Sequence, residues 1–210
     1  MERWALFLVL LFAASLALVA LVSPPREEAA VVVALDAGHG GHDPGAVVAG
    51  VREKDINLAL ALLVRAKAQG KGLRVVLTRS TDVYVDLLER VRGAESAGAR
   101  LYVSLHANYH RDARVCGVET WVDTHAGEES LRLAECLQRA VVAATGAADR
   151  GVLRQTLYLR HTTLPAALLE VGYLSCPAER EKLLDPRYRE RLAEGILWGI
   201  LEYLRQAAPR

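Results

Sequence analysis

The sequence predicts an α/β fold, specifically a three-layer α/β/α domain around a mostly parallel, mixed sheet of about six strands. Short apolar runs bounded by turn residues are typical of strands that are buried on both faces. Segments with apolar residues at helical spacing separate most of these runs. The resulting order, βαβαββαββα, favours a largely parallel sheet with one or two antiparallel strands.

The elements follow in chain order. We predict strands at residues 31–36, 74–78, 100–107, 117–122, 156–159 and 166–171. We predict helices at 53–69, from an Asp86 cap to a stop at Gly98, at 128–144, and from Pro186 towards the C-terminus. Asp86 has Glu89 three residues later, as in a capping box, and Asp185 precedes a proline at the first helical position. Residues 149–151 read as a turn.

Length and charge restrict the possible functions. The chain has 210 residues, and its 26 basic and 25 acidic residues almost cancel without long blocks of one sign. This balance gives no indication of nucleic-acid binding. Residues 31–206 suffice for one domain, preceded by a linker at 23–30.

Residues 1–22 form a separate segment. Arg3 precedes eighteen uninterrupted apolar or small residues, 5–22. This run is longer than the roughly 7–15 residues of a cleavable signal and close to the roughly 20 that span a bilayer. Residues 15–17 offer a small-x-small cleavage site, so both a signal peptide and an N-terminal membrane anchor remain open. Either places the domain outside the cytoplasmic membrane, in the periplasm or cell wall.

The three cysteines, Cys116, Cys136 and Cys176, have no CxxC spacing and are odd in number. They therefore indicate neither a disulfide framework nor a thiolate zinc site. Bridges from Cys176 to Cys116 or to Cys136 are conceivable but unsupported, and buried small apolar residues are the favoured interpretation.

Candidate chemistry collects where strands end. Asp36 and His39 follow the first strand, His106 ends the third, and Glu170 lies within the last. Two histidines and a glutamate are a common ligand set for catalytic zinc, which keeps one position open. Glu53, at the start of a helix, can fold back as the third ligand and leave Glu170 for proton transfer. It could equally be a first-turn acid favoured by the helix dipole.

Other site types fit poorly. The glycine turn after the first strand has Asp43 where a dinucleotide fingerprint needs glycine, and no Walker lysine follows, so we expect no nucleotide. Ser104 and Ser175 lack the surroundings of an elbow nucleophile. The His-Glu-x-x-His pattern is absent from the sequence.

Seven motifs together resemble the zinc-dependent N-acetylmuramoyl-L-alanine amidases of bacterial cell walls. They are Asp36-Ala-Gly-His-Gly-Gly-His-Asp-Pro-Gly45, Arg52-Glu-Lys-Asp-Ile-Asn57, Leu77-Thr-Arg-Ser-Thr-Asp82, Ser104-Leu-His-Ala-Asn108, Gly117-Val-Glu-Thr120, Asp149-Arg-Gly151 and Glu170-Val-Gly-Tyr-Leu-Ser175. The similarity covers about residues 31–205. One departure is Cys176, where the family often has asparagine.

The resemblance implies one Zn²⁺ per chain, held by His39, Glu53 and His106, with Glu170 as the catalytic glutamate. Asp36 and Asn108 are candidates for orienting the ligands. The implied substrate is peptidoglycan, cleaved at the amide between the lactyl group of N-acetylmuramic acid and L-alanine. The cytoplasmic membrane is a further partner if the N-terminal segment is retained.

Alternatives remain open at this level. A zinc peptidase that cuts within the stem peptide would need the same ligands, and a metal-free envelope binding module could keep the fold. Some relatives carry an inserted inhibitory helix over the zinc. The links at 108–119 and 124–129 are short in this chain, so we predict no such helix.

Overall fold

A computed structural model describes residues 30–207 and contains eight strands, five helices and one 3-10 turn in that part of the chain. The strands are β1 (Val31–Ala37), β2 (Val47–Val48), β3 (Val51–Arg52), β4 (Leu73–Leu77), β5 (Tyr102–Asn108), β6 (Val118–Asp123), β7 (Asp149–Gln155) and β8 (Ala166–Tyr173). The helices are α1 (Glu53–Lys67), α2 (Leu87–Ser96), α3 (Glu128–Thr145), α4 (Pro177–Leu184) and α5 (Pro186–Ala207), and the 3-10 turn is Tyr158–His161.

Six strands form one mixed sheet in the order β4-β1-β5-β8-β6-β7. The pairs β4–β1, β1–β5, β5–β8 and β6–β7 are parallel, whereas β6 and β8 are antiparallel. The predicted six-stranded, mostly parallel sheet is therefore confirmed. Because β6 and β7 run against the other four, their amino-terminal ends lie at the edge where β1, β5 and β8 end.

The two faces of the sheet are covered differently. Helices α1, α3 and α5 pack on one face over a large apolar core, to which every second residue of β1 and β5 contributes. Helix α2 and the 3-10 turn cover the opposite face, called here the α2 face, over a smaller core that includes Ala34, Tyr102 and Leu168. Since side chains alternate along a strand, Asp36, His106 and Glu170 belong to the α2 face.

Helix boundaries follow local capping chemistry. The Asp86 carboxylate accepts a hydrogen bond from the Leu88 amide at 2.8 Å, as expected for an N-cap. Asp185 similarly accepts from the Arg187 amide at 2.9 Å, and Pro186 begins α5. Gly146 ends α3 in the left-handed conformation. The short β2–β3 hairpin and helix α4 were not predicted.

Two predictions between α3 and β8 were wrong. The turn predicted at 149–151 lies inside β7, because Gly151 has a positive φ of 82° and the register with β6 shifts there, so the strand bends without ending. The strand predicted at 156–159 is replaced by coil and the 3-10 turn. The Leu157 amide donates to the Asp123 carboxylate at 2.8 Å, which takes this segment off the ladder.

The interpretation of all three cysteines as buried apolar residues was also wrong. Cys116 and Cys176 form a disulfide with 5.6 Å between their Cα atoms, and Cys136 is free and buried. The bridge joins the segment before β6 to the segment after β8. The sequence favoured no pairing because these residues are 60 positions apart and meet only through the antiparallel pairing of the two strands.

The segments that flank the domain are treated separately. The predicted signal or anchor at 1–22 lies outside the described residues, as does nearly all of the linker at 23–30. Within residues 30–207, none of the helices combines the length and the apolar character needed to cross a membrane.

Candidate active site

The loop after β1 brings His39 to the carboxyl edge of the sheet in an unusual backbone conformation. His39 has a positive φ of 61°, and Gly40 and Gly41 have φ values of 130° and 59°. A Cβ on Gly45 would lie 2.6 Å from both the His39 ring and the Glu53 carboxylate. The glycines therefore allow the loop to fold closely around these two side chains.

His39, Glu53 and His106 come together at this edge. Glu53 Oε1 lies 3.1 Å from His39 Nε2 and 2.8 Å from His106 Nδ1, and one ligand atom from each residue lies within 4.8 Å of the others. Glu53 is the first residue of α1, and its Oε2 also accepts a hydrogen bond from the Ala46 amide at 2.9 Å. Burial alone would raise the pKa of Glu53, but hydrogen bonds from the two imidazoles lower it well below its ordinary range.

Asp43 fixes the other nitrogen of His39. Its Oδ2 lies 2.7 Å from His39 Nδ1, and its Oδ1 accepts from the Gly45 amide at 3.0 Å. A carboxylate behind a histidine sets the tautomer and leaves the far nitrogen, here Nε2, ready for a metal. Burial alone would lower the pKa of His39, but its hydrogen bonds to Glu53 and Asp43 raise this pKa above its ordinary value.

Three buried cationic side chains donate hydrogen bonds to the backbone of the loop after β1. Arg79 donates to the carbonyls of Ala37 and Gly38 at 2.7 and 2.9 Å. Arg90 donates to the His39 carbonyl at 2.9 Å, and Lys54 to the Gly41 carbonyl at 2.7 Å. Because the acceptors are four of the five backbone carbonyls of residues 37–41, these bonds fix the path of the loop that carries His39.

Asp36 supports this arrangement indirectly. Its carboxylate pairs with Arg90 at 2.8 Å and accepts from Thr78 and Ser104, each at 2.6 Å. Burial alone would raise its pKa, but Arg90 and these hydroxyls lower it to about 2. Asp36 therefore positions Arg90, which in turn binds the His39 carbonyl. Among the described residues, Asp36 makes no hydrogen bond to the imidazole of His39 or His106.

Glu170 lies beside the cluster on β8. It pairs in register with His106 on β5 and with Glu119 on β6, so the three side chains form a row across the sheet. Its Oε2 is buried and has no hydrogen-bond partner among residues 30–207. Burial raises the pKa of Glu170 well above its ordinary value, and the negative charges of Glu53 and Glu119 raise it further. Burial therefore favours the protonated form of this carboxyl.

Glu119 has the opposite surroundings. Its Oε1 accepts from Asn108 at 2.8 Å and from the Trp121 indole at 2.9 Å, and its Oε2 accepts from Arg150 at 2.7 Å. Asn108, predicted to orient a ligand, is thus placed against Glu119. Glu119 itself is 1% exposed.

The residues present fit a zinc ion on their own chemistry. Two imidazole nitrogens and one carboxylate oxygen converge, with Asp43 behind one imidazole and a buried carboxyl with an unpartnered oxygen beside them. Three protein ligands of this type, with a position left for water or substrate, are typical of catalytic rather than structural zinc. No helix covers the cluster from the links at 109–117 and 124–127.

Some residues of the site received no role from sequence reasoning. Asp43, Glu119 and Arg150 all lie in motifs that carry the resemblance. Asp43 follows the carboxyl end of β1, as His39 does, whereas the rule of strand carboxyl ends does not include Glu119 and Arg150. Glu119 and Arg150 lie near the amino ends of β6 and β7. The available signal for Glu119 was a charged residue in a strand that is otherwise largely apolar.

The fold and the site together define a three-layer α/β domain with a candidate metal centre at the edge of its sheet. Residues 33–202 match the Amidase_3 family, described as N-acetylmuramoyl-L-alanine amidase. The chain therefore belongs to the N-acetylmuramoyl-L-alanine amidase family.

Individual relatives agree with this assignment. The chain is 36% identical over 173 residues to the N-acetylmuramoyl-L-alanine amidase LytC of Bacillus subtilis, an alignment that covers 81% of this chain but only 35% of LytC. The catalytic domain of CwlV, an amidase from Paenibacillus polymyxa, superposes with a TM-score of 0.79 at 42% identity, covering 83% of this chain and 98% of that domain. An amidase of Clostridium difficile 630 gives 0.83 at 34% identity, with 86% and 100% covered.

Proposed function

We propose that this protein is a zinc-dependent amidase that cleaves peptidoglycan between the lactyl group of N-acetylmuramic acid and L-alanine of the stem peptide. The observation that carries the proposal is the convergence of His39 Nε2, Glu53 Oε1 and His106 Nδ1 beside Glu170, whose Oε2 is buried. The membership of the chain in the amidase family supplies the reaction and the substrate class.

In this proposal His39, Glu53 and His106 hold one Zn²⁺, which when bound would polarise the scissile carbonyl and acidify the attacking water. The chain's own contribution is to keep these ligands in place. Asp43 orients the His39 ring, and the Ala46 amide holds the second oxygen of Glu53. Because the ligands come from a strand end, a loop and a helix start, their geometry depends on the whole domain.

Glu170 is the proposed proton carrier. It would take a proton from the attacking water and deliver it to the nitrogen of the departing L-alanine. Burial raises its pKa, which favours the protonated form that can donate to the departing amine. An apolar setting for a carboxyl is the arrangement by which enzymes obtain a general acid at neutral pH.

We also propose that residues 1–22 take the domain out of the cytoplasm, as a cleaved signal or as a retained anchor, since peptidoglycan lies outside the cytoplasmic membrane. Cell fractionation followed by determination of the N-terminal sequence of the mature protein distinguishes these two forms. Recovery of the protein in the cytoplasm with Met1 intact would contradict the proposal.

The reaction is tested by digestion of purified peptidoglycan, with and without a chelator, and mass spectrometry of the products. We expect intact stem peptides that begin with free L-alanine, and no such products after chelation until zinc is restored. Release of D-alanine or of partial stem peptides would instead indicate a peptidase. Binding without any product would indicate a metal-free binding module.

A further inference from the structure

Next to Glu170, the edge of the sheet where β1, β5 and β8 end, called here the catalytic edge, contains a second group of polar residues that the proposed mechanism does not use. Arg150, on β7, donates from Nε to Glu119 Oε2 at 2.7 Å. Its guanidinium carbon lies 5.3 Å from the centre of the Tyr173 ring, and its side chain is 37% exposed. It is thus a cation that the protein holds in place at a surface next to the site.

The backbone is shaped to accept this arginine. Gly117 has a φ of 124°, and a Cβ there would lie 2.7 Å from the Ala148 carbonyl oxygen, 2.8 Å from Arg150 Cγ and 2.9 Å from Arg150 Cδ. Glu119 does not depend on Arg150 alone, because Asn108 and Trp121 also donate to it. The ion pair engages Nε, so the Nη donors of the guanidinium are not used by Glu119.

The order of groups across the sheet gives the substrate a direction. The candidate zinc ligands come from β5, α1 and the loop after β1; Glu170 lies next on β8, then Glu119 on β6 and Arg150 on β7. The scissile carbonyl belongs with the zinc ligands, and its nitrogen belongs with Glu170, which protonates it. The peptide that continues from this nitrogen therefore extends towards β6 and β7.

We propose that Arg150 binds a carboxylate in the peptide part of the substrate, on the residue that follows L-alanine. The inference rests on the proposed function, since it takes its direction from the scissile amide. A guanidinium fixed by Glu119 and Tyr173 is pre-organised to donate hydrogen bonds from its planar fork to a carboxylate. Arg150 is therefore a specificity residue that selects acidic over amidated stem peptides.

The test uses soluble, uncross-linked glycan strands whose stem-peptide carboxylates are either free or converted to carboxamides. The wild-type enzyme, loaded with zinc, is expected to have a kcat/KM roughly tenfold or more higher on the free acid, the size expected for one charge-assisted contact. Arg150→Gln should abolish this preference, because it lowers kcat/KM on the free acid by roughly tenfold more than on the amidated strands.

Two further variants make the result specific. Arg154→Gln removes the same charge from the same strand, but Arg154 lies at the opposite edge, where it donates to the carbonyl of Thr124 at 3.0 Å; it should keep the wild-type preference. Arg150→Lys keeps the charge beside Glu119 but loses the planar fork. It should show an intermediate preference, and it remains informative if Arg150→Gln does not fold.

The outcomes separate the two proposals. Failure of the wild-type enzyme to cleave either kind of strand would contradict the proposed function itself. Equal wild-type rates on both, a preference that survives in the Arg150 variants, or an equal loss on both substrates would overturn the role of Arg150 and leave the amidase reaction intact.

Discussion

Two glutamates face each other on neighbouring strands and yet have opposite environments. Glu170 on β8 and Glu119 on β6 are register partners. Glu119 accepts hydrogen bonds from Asn108, Trp121 and Arg150, whereas one oxygen of Glu170 has no partner among the described residues. Burial of an unpartnered polar group costs free energy, so the environment of Glu170 is not explained by stability.

This difference separates two functions of a buried carboxyl. A carboxyl with a full set of donors fixes the groups around it. A carboxyl without them retains a proton more readily and can exchange it with a substrate. The comparison predicts that Glu119 contributes to the structure and that Glu170 contributes to the chemistry.

The largest expected effect is on Glu170. We expect Glu170→Gln to lower the rate of peptidoglycan hydrolysis by roughly 10²–10⁴-fold, because the proton carrier is removed. Thermal unfolding should occur at or above the wild-type temperature, since an unpartnered buried carboxyl is replaced by a neutral group of the same shape. A fully active variant would contradict the assignment, and a variant that unfolds early would contradict the distinction from Glu119.

The disulfide connects the strands that carry the two glutamates. Cys116 precedes β6 and Cys176 follows β8, 60 residues apart in sequence. Replacing both cysteines by serine should lower the free energy of unfolding by about 3–4 kcal/mol, because a loop of this length closes at a large entropic cost. Urea unfolding measures the change, and Cys136→Ala, which leaves the bridge intact, is the matched control. Equal stability of the double variant and the control would show that the bridge adds nothing.

Much of this site was predictable because the four strands β4, β1, β5 and β8 all run in the same direction. In parallel strands the carboxyl ends share an edge, so His39, His106 and Glu170 could be grouped from sequence alone. The apolar runs of β1, β5 and β8 and the caps at Asp86 and Asp185 also follow from local chemistry. Glu53 depended on the family resemblance as well as on its place at a helix start.

Glu119 and Arg150 were not predicted by this rule because of the topology of the sheet. Since β6 and β7 run antiparallel to β8, Glu119 and Arg150 reach the catalytic edge from the amino ends of their strands. Strand direction is set by long-range pairing, which periodicity does not encode. The same pairing brings Cys116 to Cys176. The antiparallel pairing of β6 with β8, which the sequence did not reveal, therefore explains why neither the disulfide nor the roles of Glu119 and Arg150 were predicted.

A smaller effect is expected at Glu119. Glu119→Gln places an amide among three donors and removes the partner of Arg150, and we expect the free energy of unfolding to fall by about 2–3 kcal/mol. The matched substitution Glu170→Gln should cause no such loss, and the two variants are compared directly in urea at pH 7. If Glu119→Gln proves as stable as the wild type, hydrogen bonding does not distinguish the two carboxyls.

Asp36 extends the comparison to a third buried carboxyl, and here the expected effect is the smallest. Arg90, Ser104 and Thr78 overcome its burial and lower its pKa to about 2, from 3.8 in the unfolded chain. A group with a lowered folded pKa stabilises the protein above its unfolded pKa, and this contribution, about 2 kcal/mol, is lost as the pH falls from about 4 towards 2.

Asp36→Asn resembles the protonated form. Its deficit in unfolding free energy should therefore be full at pH 7 and shrink towards zero near pH 2, as measured by urea unfolding across this range. A deficit that stays constant with pH would mean that the loss comes from packing, and that Asp36 does not stabilise the His39 loop as an anion paired with Arg90.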